Sequence, residues 1–262
     1  MRAFLRLCFV AALLPAGGAT ADATGTIGVV IMHGKTGTPG QLAKLAAALT
    51  TAGYPVETPE MCWSKKRIVD ENFTDCLADV DAAIVKLKTN GATKIVVAGT
   101  SQGAVAALAY GATHPGIAGV VAMAPAGDPP NLSQAPALAA SIESATALTK
   151  AGKGDAVTVF NDVITGAQPV TVKATPNAFL SFHGPDSPIA TMKRLIAKVL
   201  PQPKVPVLWV SGSRDPSQVI APQAFATVPK NPLSRAVTID ADHGGTPDIA
   251  GDAVTAWLAT LN

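Results

Sequence analysis

Between Lys94 and Ala109 the chain leaves no room for a loop. Lys94-Ile95-Val96-Val97-Ala98 is a short β-branched run of the kind that forms a buried strand, and a helical stretch from Ala104 to Ala109 follows within a few residues. The joint is Gly99-Thr100-Ser101-Gln102-Gly103. A strand that becomes a helix over so few residues brings backbone against backbone. The flanking positions must therefore be glycine, because a side chain there would collide. The residue at the apex, Ser101, is lifted above the sheet edge beside the first free amides of the helix.

The rest of the chain repeats that alternation. Thr26 to Met32 is a continuous apolar and β-branched run ending in His33-Gly34, which reads as a strand buried on both faces. Leu42, Leu45, Ala46 and Leu49 then keep the i, i+3, i+4, i+7 spacing of a helix, with Gly53 as its stop signal. Further strands are predicted at Tyr54–Thr58, Ile117–Met123, Val205–Val210 and Arg235–Ile239. Helical patterns fall at Leu77/Val80/Ile84/Leu87, Val105/Leu108/Ala109, Met192/Leu195/Ile196/Val199 and Ile249/Ala253/Ala256/Trp257. Strands alternating with helices imply a doubly wound, mostly parallel α/β sheet of about six strands with helices on both faces. The exception is 126–187, where Pro, Gly and Ser breaks surround a helix-like piece at Leu138–Lys150. It is too long for a connection and reads as a cap or lid insertion over the carboxyl edge of the sheet.

The first residues are of another kind. Arg2 and Arg6 precede an apolar run from Leu7 to Leu14, and small residues follow, with A-x-A sites ending at Ala21 and Ala23. Residues 1–21 are expected to be a signal peptide, cleaved after Ala21 or Ala23, and the run is too short to span a bilayer. The mature protein would be a single domain over 22–262 in the periplasm or outside the cell. Without the two arginines, 18 basic residues face 18 acidic ones. No basic stripe remains for nucleic acid, and no later apolar run is long enough for stable membrane insertion. Nothing specifies an oligomeric state.

The strand, G-x-S-x-G, helix arrangement resembles the nucleophile elbow of the α/β-hydrolase family, with its serine esterases and lipases. The resemblance covers nearly all of the chain after the N-terminal segment, and implies the order nucleophile, acid, histidine. Ser101 would be the nucleophile. Val207 to Asp215 is a strand ending in a loop with an aspartate, and Val237 to Gly244 ends a strand and delivers His243. Asp215 also suits a helix cap before Pro216, and Asp128 is the competing acid. His114 and His183 read as structural or surface residues. The family takes oxyanion donors from the residue after the nucleophile and from the loop after the first strand. Here these are the amide of Gln102 and that of Lys35, with Thr36 the alternative. The stretch His33-Gly34-Lys35-Thr36-Gly37 resembles the family's HGxxG loop, and His33 reads as a brace for it.

The implied activity is hydrolysis of a carboxylic ester, thioester or related acyl bond of a small molecule, through an acyl-enzyme and without a cofactor. An acyltransferase would share every residue, and a non-catalytic ligand-binding protein could keep the scaffold. A metal is not implied, because neither HExxH nor paired CxxC spacing occurs. Specificity is expected from the insertion and from Met61 to Arg67, with Trp63, Lys65 and Arg67 as candidate substrate-binding residues. A solvated charged loop is the competing reading for Lys65-Lys66-Arg67. Cys62 and Cys76 are the two cysteines left after removal of Cys8. In an oxidising compartment they are expected to form a disulfide, with free buried thiols as the alternative.

Overall fold

Apolar runs without polar alternation can satisfy both of their faces only inside a sheet covered on both sides. In the computed structural model, which describes residues 26–67, 69–125, 135–164 and 168–262, six such runs form one sheet. The elements in chain order are β1 (Ile27–Met32), α1 (Ala43–Thr51), β2 (Val56–Glu57), α2 (Ala78–Thr89), β3 (Lys94–Thr100), α3 (Gln102–Thr113), β4 (Gly119–Met123) and α4 (Pro136–Lys150). Then follow β5 (Thr158–Ile164), β6 (Gln168–Ala174), α5 (Pro176–His183), α6 (Met192–Arg194), β7 (Val207–Gly212), α7 (Ala221–Phe225), β8 (Arg235–Ile239), α8 (Thr246–Ile249) and α9 (Gly251–Leu258). The main sheet runs β2-β1-β3-β4-β7-β8, and every neighbouring pair is parallel. The expected signal peptide and Asp128 lie outside the described residues.

The two-residue period of the strands sorts the core into two layers. Ile27, Val29 and Ile31 pack with Leu45 and Leu49 of α1 and with Val254 and Trp257 of α9 on one face. Val30, Met32, Ile95 and Val97 meet Val80 and Leu87 of α2 and Leu108 of α3 on the other. Each fully buried side chain of this size contributes about 1.5–3 kcal/mol. Among the described residues no helix is long and apolar enough to cross a membrane.

The stretch between β4 and α6 contains, besides the expected helix α4, a hairpin that the sequence pattern does not announce. Strands β5 and β6 pair antiparallel from Thr158↔Ala174 to Ile164↔Gln168 as a separate sheet. On β5 the inward positions include Phe160 and Asp162, both buried, so a carboxylate interrupts the apolar alternation. Aspartate is depleted in strands, and Pro169 further weakens the β6 signal. Phe160 stacks on Phe179 of α5 at 4.4 Å between ring centroids, and Ser141 of α4 accepts the Asn161 amide at 2.8 Å. The unit docks on loops at the carboxyl edge of the main sheet. The Phe73 amide donates to Ser181 Oγ at 2.9 Å, and Phe182 packs edge-on against Trp63 and Phe73.

Cys62, in the loop after β2, is bridged to Cys76, in the turn entering α2, with Cα atoms 5.6 Å apart and both residues buried. Titration of the processed, denatured and unreduced protein should therefore find no free thiol, and two titratable thiols would contradict the bridge. Replacing both cysteines by alanine should cost about 3 kcal/mol in urea unfolding, the chain-entropy value for a loop of this length.

Candidate active site

The strand-to-helix joint has the tightness that its glycines imply. A Cβ on Gly99 would overlap the carbonyl of Gly103, and one on Gly103 would overlap the carbonyls of Met32 and His33 at the end of β1. Ser101 between them is held at φ 55°, ψ −117°, in the region that disfavours a residue with a side chain. Such strain costs on the order of 1–3 kcal/mol and persists only where the surroundings impose it. Here the Ser101 amide donates to the Met123 carbonyl at 3.0 Å, and the Ser101 carbonyl accepts the first helical bond from Ala104 at 3.0 Å. Thr36 and Ala124, in the loops after β1 and β4, also have positive φ.

His243 comes from the loop after β8. Its Nε2 lies 3.0 Å from Ser101 Oγ and its Nδ1 2.6 Å from Asp215 Oδ2. With Nδ1–H donated to the carboxylate, Nε2 is left as the acceptor for the serine proton. Asp215 uses its other oxygen as a helix cap: Oδ1 accepts the Ser217 amide at 2.9 Å and the Ser217 hydroxyl at 2.6 Å. One oxygen thus faces the imidazole while the other caps the helix turn. Burial opposes ionisation of Asp215, but the hydrogen bonds from His243 and Ser217 outweigh it and hold the carboxyl below its ordinary range. The loops carrying this pair are tied together, with the Ser213 amide on the Ile239 carbonyl and the Arg214 amide on that of Ala241. Gln218 connects them to the end of β4 through Nε2 on the Pro125 carbonyl at 3.1 Å.

The loop after β1 faces Ser101 from the other side, where a Cβ on Gly34 would sit 3.4 Å from that of Ser101. His33 is buried and braces it, donating from Nδ1 to the Gly34 carbonyl at 2.8 Å and accepting the Met61 amide on Nε2 at 3.1 Å. Burial lowers its pKa, in keeping with a neutral ring. The Thr36 amide is engaged by the Trp63 carbonyl at 2.9 Å, whereas those of Lys35 and Gln102 have no acceptor among the described residues. Of the two loop amides open in the sequence, only that of Lys35 is available.

The three candidate substrate-binding residues have separate surroundings. Trp63 is buried and donates Nε1 to the His33 carbonyl at 2.9 Å, so it supports the loop from behind. Arg67 is occupied by Asp70, Glu71 and Asp79, whose carboxylates lie 2.9, 3.0 and 2.5 Å from its nitrogens. Burial works against its charge, but Asp70 and Asp79 outweigh it and raise its pKa further. Lys65 is exposed at the rim of a cavity of about 110 Å³ that Lys35, Thr36 and Val172 also line. A larger cleft of about 900 Å³ beside Trp209 and Phe225 reaches Asp215 from behind but includes neither Ser101 nor His243.

The pattern reading of the sequence passed over Ser217, Gln218, Gln41 and Asp162. Ser217 had a local signal, since a serine two residues after an aspartate at a helix start can share its carboxylate. Gln41, whose Oε1 accepts the Gly34 amide at 3.0 Å, and Asp162 had none. His183, read as structural or surface, is a largely buried partner of Asp162 at 3.2 Å.

Residues 26–238 match the profile described as serine aminopeptidase, S33. A thermostable monoacylglycerol lipase from Bacillus sp. (strain H-257) is 35% identical over 112 residues, 42% of this chain and 44% of that protein. The chain thus matches under half the length of that relative. Among solved structures, the Paleococcus ferrophilus monoacylglycerol lipase superposes with a TM-score of 0.61 at 19% identity, over 91% of this chain and 97% of that one. Est1E from Butyrivibrio proteoclasticus with ferulic acid bound gives 0.59 at 18% identity over 90% of both chains. At these identities the structural likeness bears on the fold. The profile match, running from β1 into β8, shows that the chain belongs to the serine aminopeptidase S33 family of α/β-hydrolases.

Proposed function

We propose that the protein is an exported serine hydrolase that cleaves a carboxylic ester, thioester or related acyl bond through an acyl-enzyme on Ser101. The observation that carries this reading is the unbroken hydrogen-bonded line from Ser101 Oγ through His243 to Asp215, beside two open amides. His243 Nε2 takes the serine proton as Oγ attacks the acyl carbon, and returns it to the leaving alcohol or thiol. Asp215 keeps the imidazole in the tautomer that accepts at Nε2 and stabilises the imidazolium. The amides of Gln102 and Lys35 receive the negative charge that develops on the carbonyl oxygen. Water activated by the same imidazole then releases the acid, and no step needs a cofactor.

The name of the Bacillus relative makes monoacylglycerols the first substrates to test. The stretch 126–187 is read as the cap that shapes the acyl pocket, since Asp162 and Ser181 within it bond to the loops after β1 and β2. Export is supported by the Arg2, Arg6 and Leu7–Leu14 pattern and by a disulfide that suits an oxidising compartment.

Ser101→Ala should lower ester hydrolysis at least ~10³-fold. Its far-UV spectrum and Tm should stay close to wild type, and fluorophosphonate labelling should disappear. Retained turnover in the purified variant would overturn the assignment. Asp215→Asn should lower kcat by up to about 10⁴-fold, because an amide no longer selects the Nε2-accepting tautomer. His114→Ala, on the stacked Tyr110 pair remote from the site, should leave kcat/KM unchanged.

A further inference from the structure

The Lys35 amide lies between two neighbours that are each fixed through the main chain, Gly34 by Gln41 and Thr36 by the Trp63 carbonyl. Among the described residues, Lys35 is held by its side chain alone, which reaches across to the insertion. Its Nζ sits 3.0 and 2.9 Å from the two carboxylate oxygens of Asp162 on β5 and 3.2 Å from the Val163 carbonyl. Asp162 is 2% exposed, the Lys35 side chain 16%. The carboxylate also accepts the Val163 amide at 2.7 Å, and His183 of α5 lies 3.2 Å from Oδ2. Among the described residues, the near donors on Asp162 therefore come from the β1 loop, its own strand and α5.

Burying this pair removes two charges from water, and well-packed apolar residues often do as well for stability. What an ion pair adds is direction. An ammonium held by both oxygens of a fixed carboxylate and by the Val163 carbonyl tethers the far end of the Lys35 side chain, and so narrows the positions open to its Cα and the adjoining amide. Burial alone would favour a neutral Asp162, but Lys35 and His183 outweigh it and hold the carboxyl well below the usual range. Burial likewise favours the neutral imidazole of His183, which donates Nε2–H to the carboxylate.

We propose that Asp162 is a positioning residue for the oxyanion hole. From the insertion it clamps the Lys35 ammonium and so aims the Lys35 amide at the oxygen bound to the Ser101 adduct, while His183 steadies the carboxylate. The inference rests on the hydrolase reading of Ser101. It makes the insertion a part of the catalytic geometry and not solely a wall of the substrate pocket.

The test uses the full processed protein, a short-chain nitrophenyl ester and an alkyl boronic acid whose tetrahedral adduct on the serine places an oxygen in the hole. Asp162→Asn leaves the buried ammonium without its counter-charge, and the double variant Lys35→Met/Asp162→Leu replaces the pair by apolar groups of similar size. Both should lower kcat by about 10- to 100-fold with KM within about 3-fold, the cost of displacing one donor by about an ångström. The boronate Ki should rise in step with KM/kcat, while the double variant keeps a wild-type Tm. His183→Phe should lower kcat less than either. Wild-type kcat in the double variant, or a loss of kcat with an unchanged boronate Ki, would overturn the proposal. Failure of the hydrolase reading looks different: the wild-type protein would then neither turn over the ester nor take a fluorophosphonate label.

Discussion

The contact on which the rest depends is the approach of Gly103 to the carbonyls of Met32 and His33. It lets the first turn of α3 lie directly against the end of β1, closer than any side chain allows. Two consequences follow at once. The backbone of Ser101 is forced to positive φ and its hydroxyl away from the helix, and the Gln102 amide is brought beside the loop that carries the Lys35 amide. The hydroxyl of Ser101 and the two open amides are thus placed by backbone packing before any charged group is considered.

The loops around this point are braced by different chemistry. The histidine loop is tied by amides to the loop after β7, and Asp215 combines a helix cap with the bond to the imidazole. The loop after β1 is tied behind by His33 and Trp63, whose segment is itself fastened to α2 by the Cys62–Cys76 bridge. In front it is held by Lys35 and Asp162. Among the described residues two carboxylates, Asp215 and Asp162, are therefore buried against different partners. One, Asp215, faces the imidazole of His243, and the other, Asp162, faces the ammonium of Lys35 and the ring of His183.

Strain is gathered at the same edge. Ser101, Thr36 and Ala124 follow three adjacent strands of the sheet and share positive φ without being glycine. Each is fixed by a main-chain bond to a neighbouring loop or strand, Thr36 to Trp63, Ser101 to Met123 and Ala124 to Val210. The rigid parallel sheet below supplies the stability that offsets these local costs.

Much of this was legible in the residue order. Continuous β-branched runs could only be strands buried on both faces, so the six-stranded sheet and its covering helices followed from local pattern. The elbow glycines, the aspartate before Pro216 and the histidine after the last strand were readable because sheet topology brings consecutive strand ends to one edge. What the tertiary structure decided depended on partners distant in the chain. The choice of Lys35 over Thr36 came from Trp63, the duties of Trp63 and Arg67 came from His33 and three carboxylates, and the hairpin β5–β6 was hidden by its inward-facing Asp162. That aspartate is compatible with a buried strand position because Lys35, 127 residues earlier, supplies the opposite charge and His183 and the Val163 amide satisfy the carboxylate further. Periodicity reports local solvation, and it carries no record of a charge that is neutralised from elsewhere in the fold.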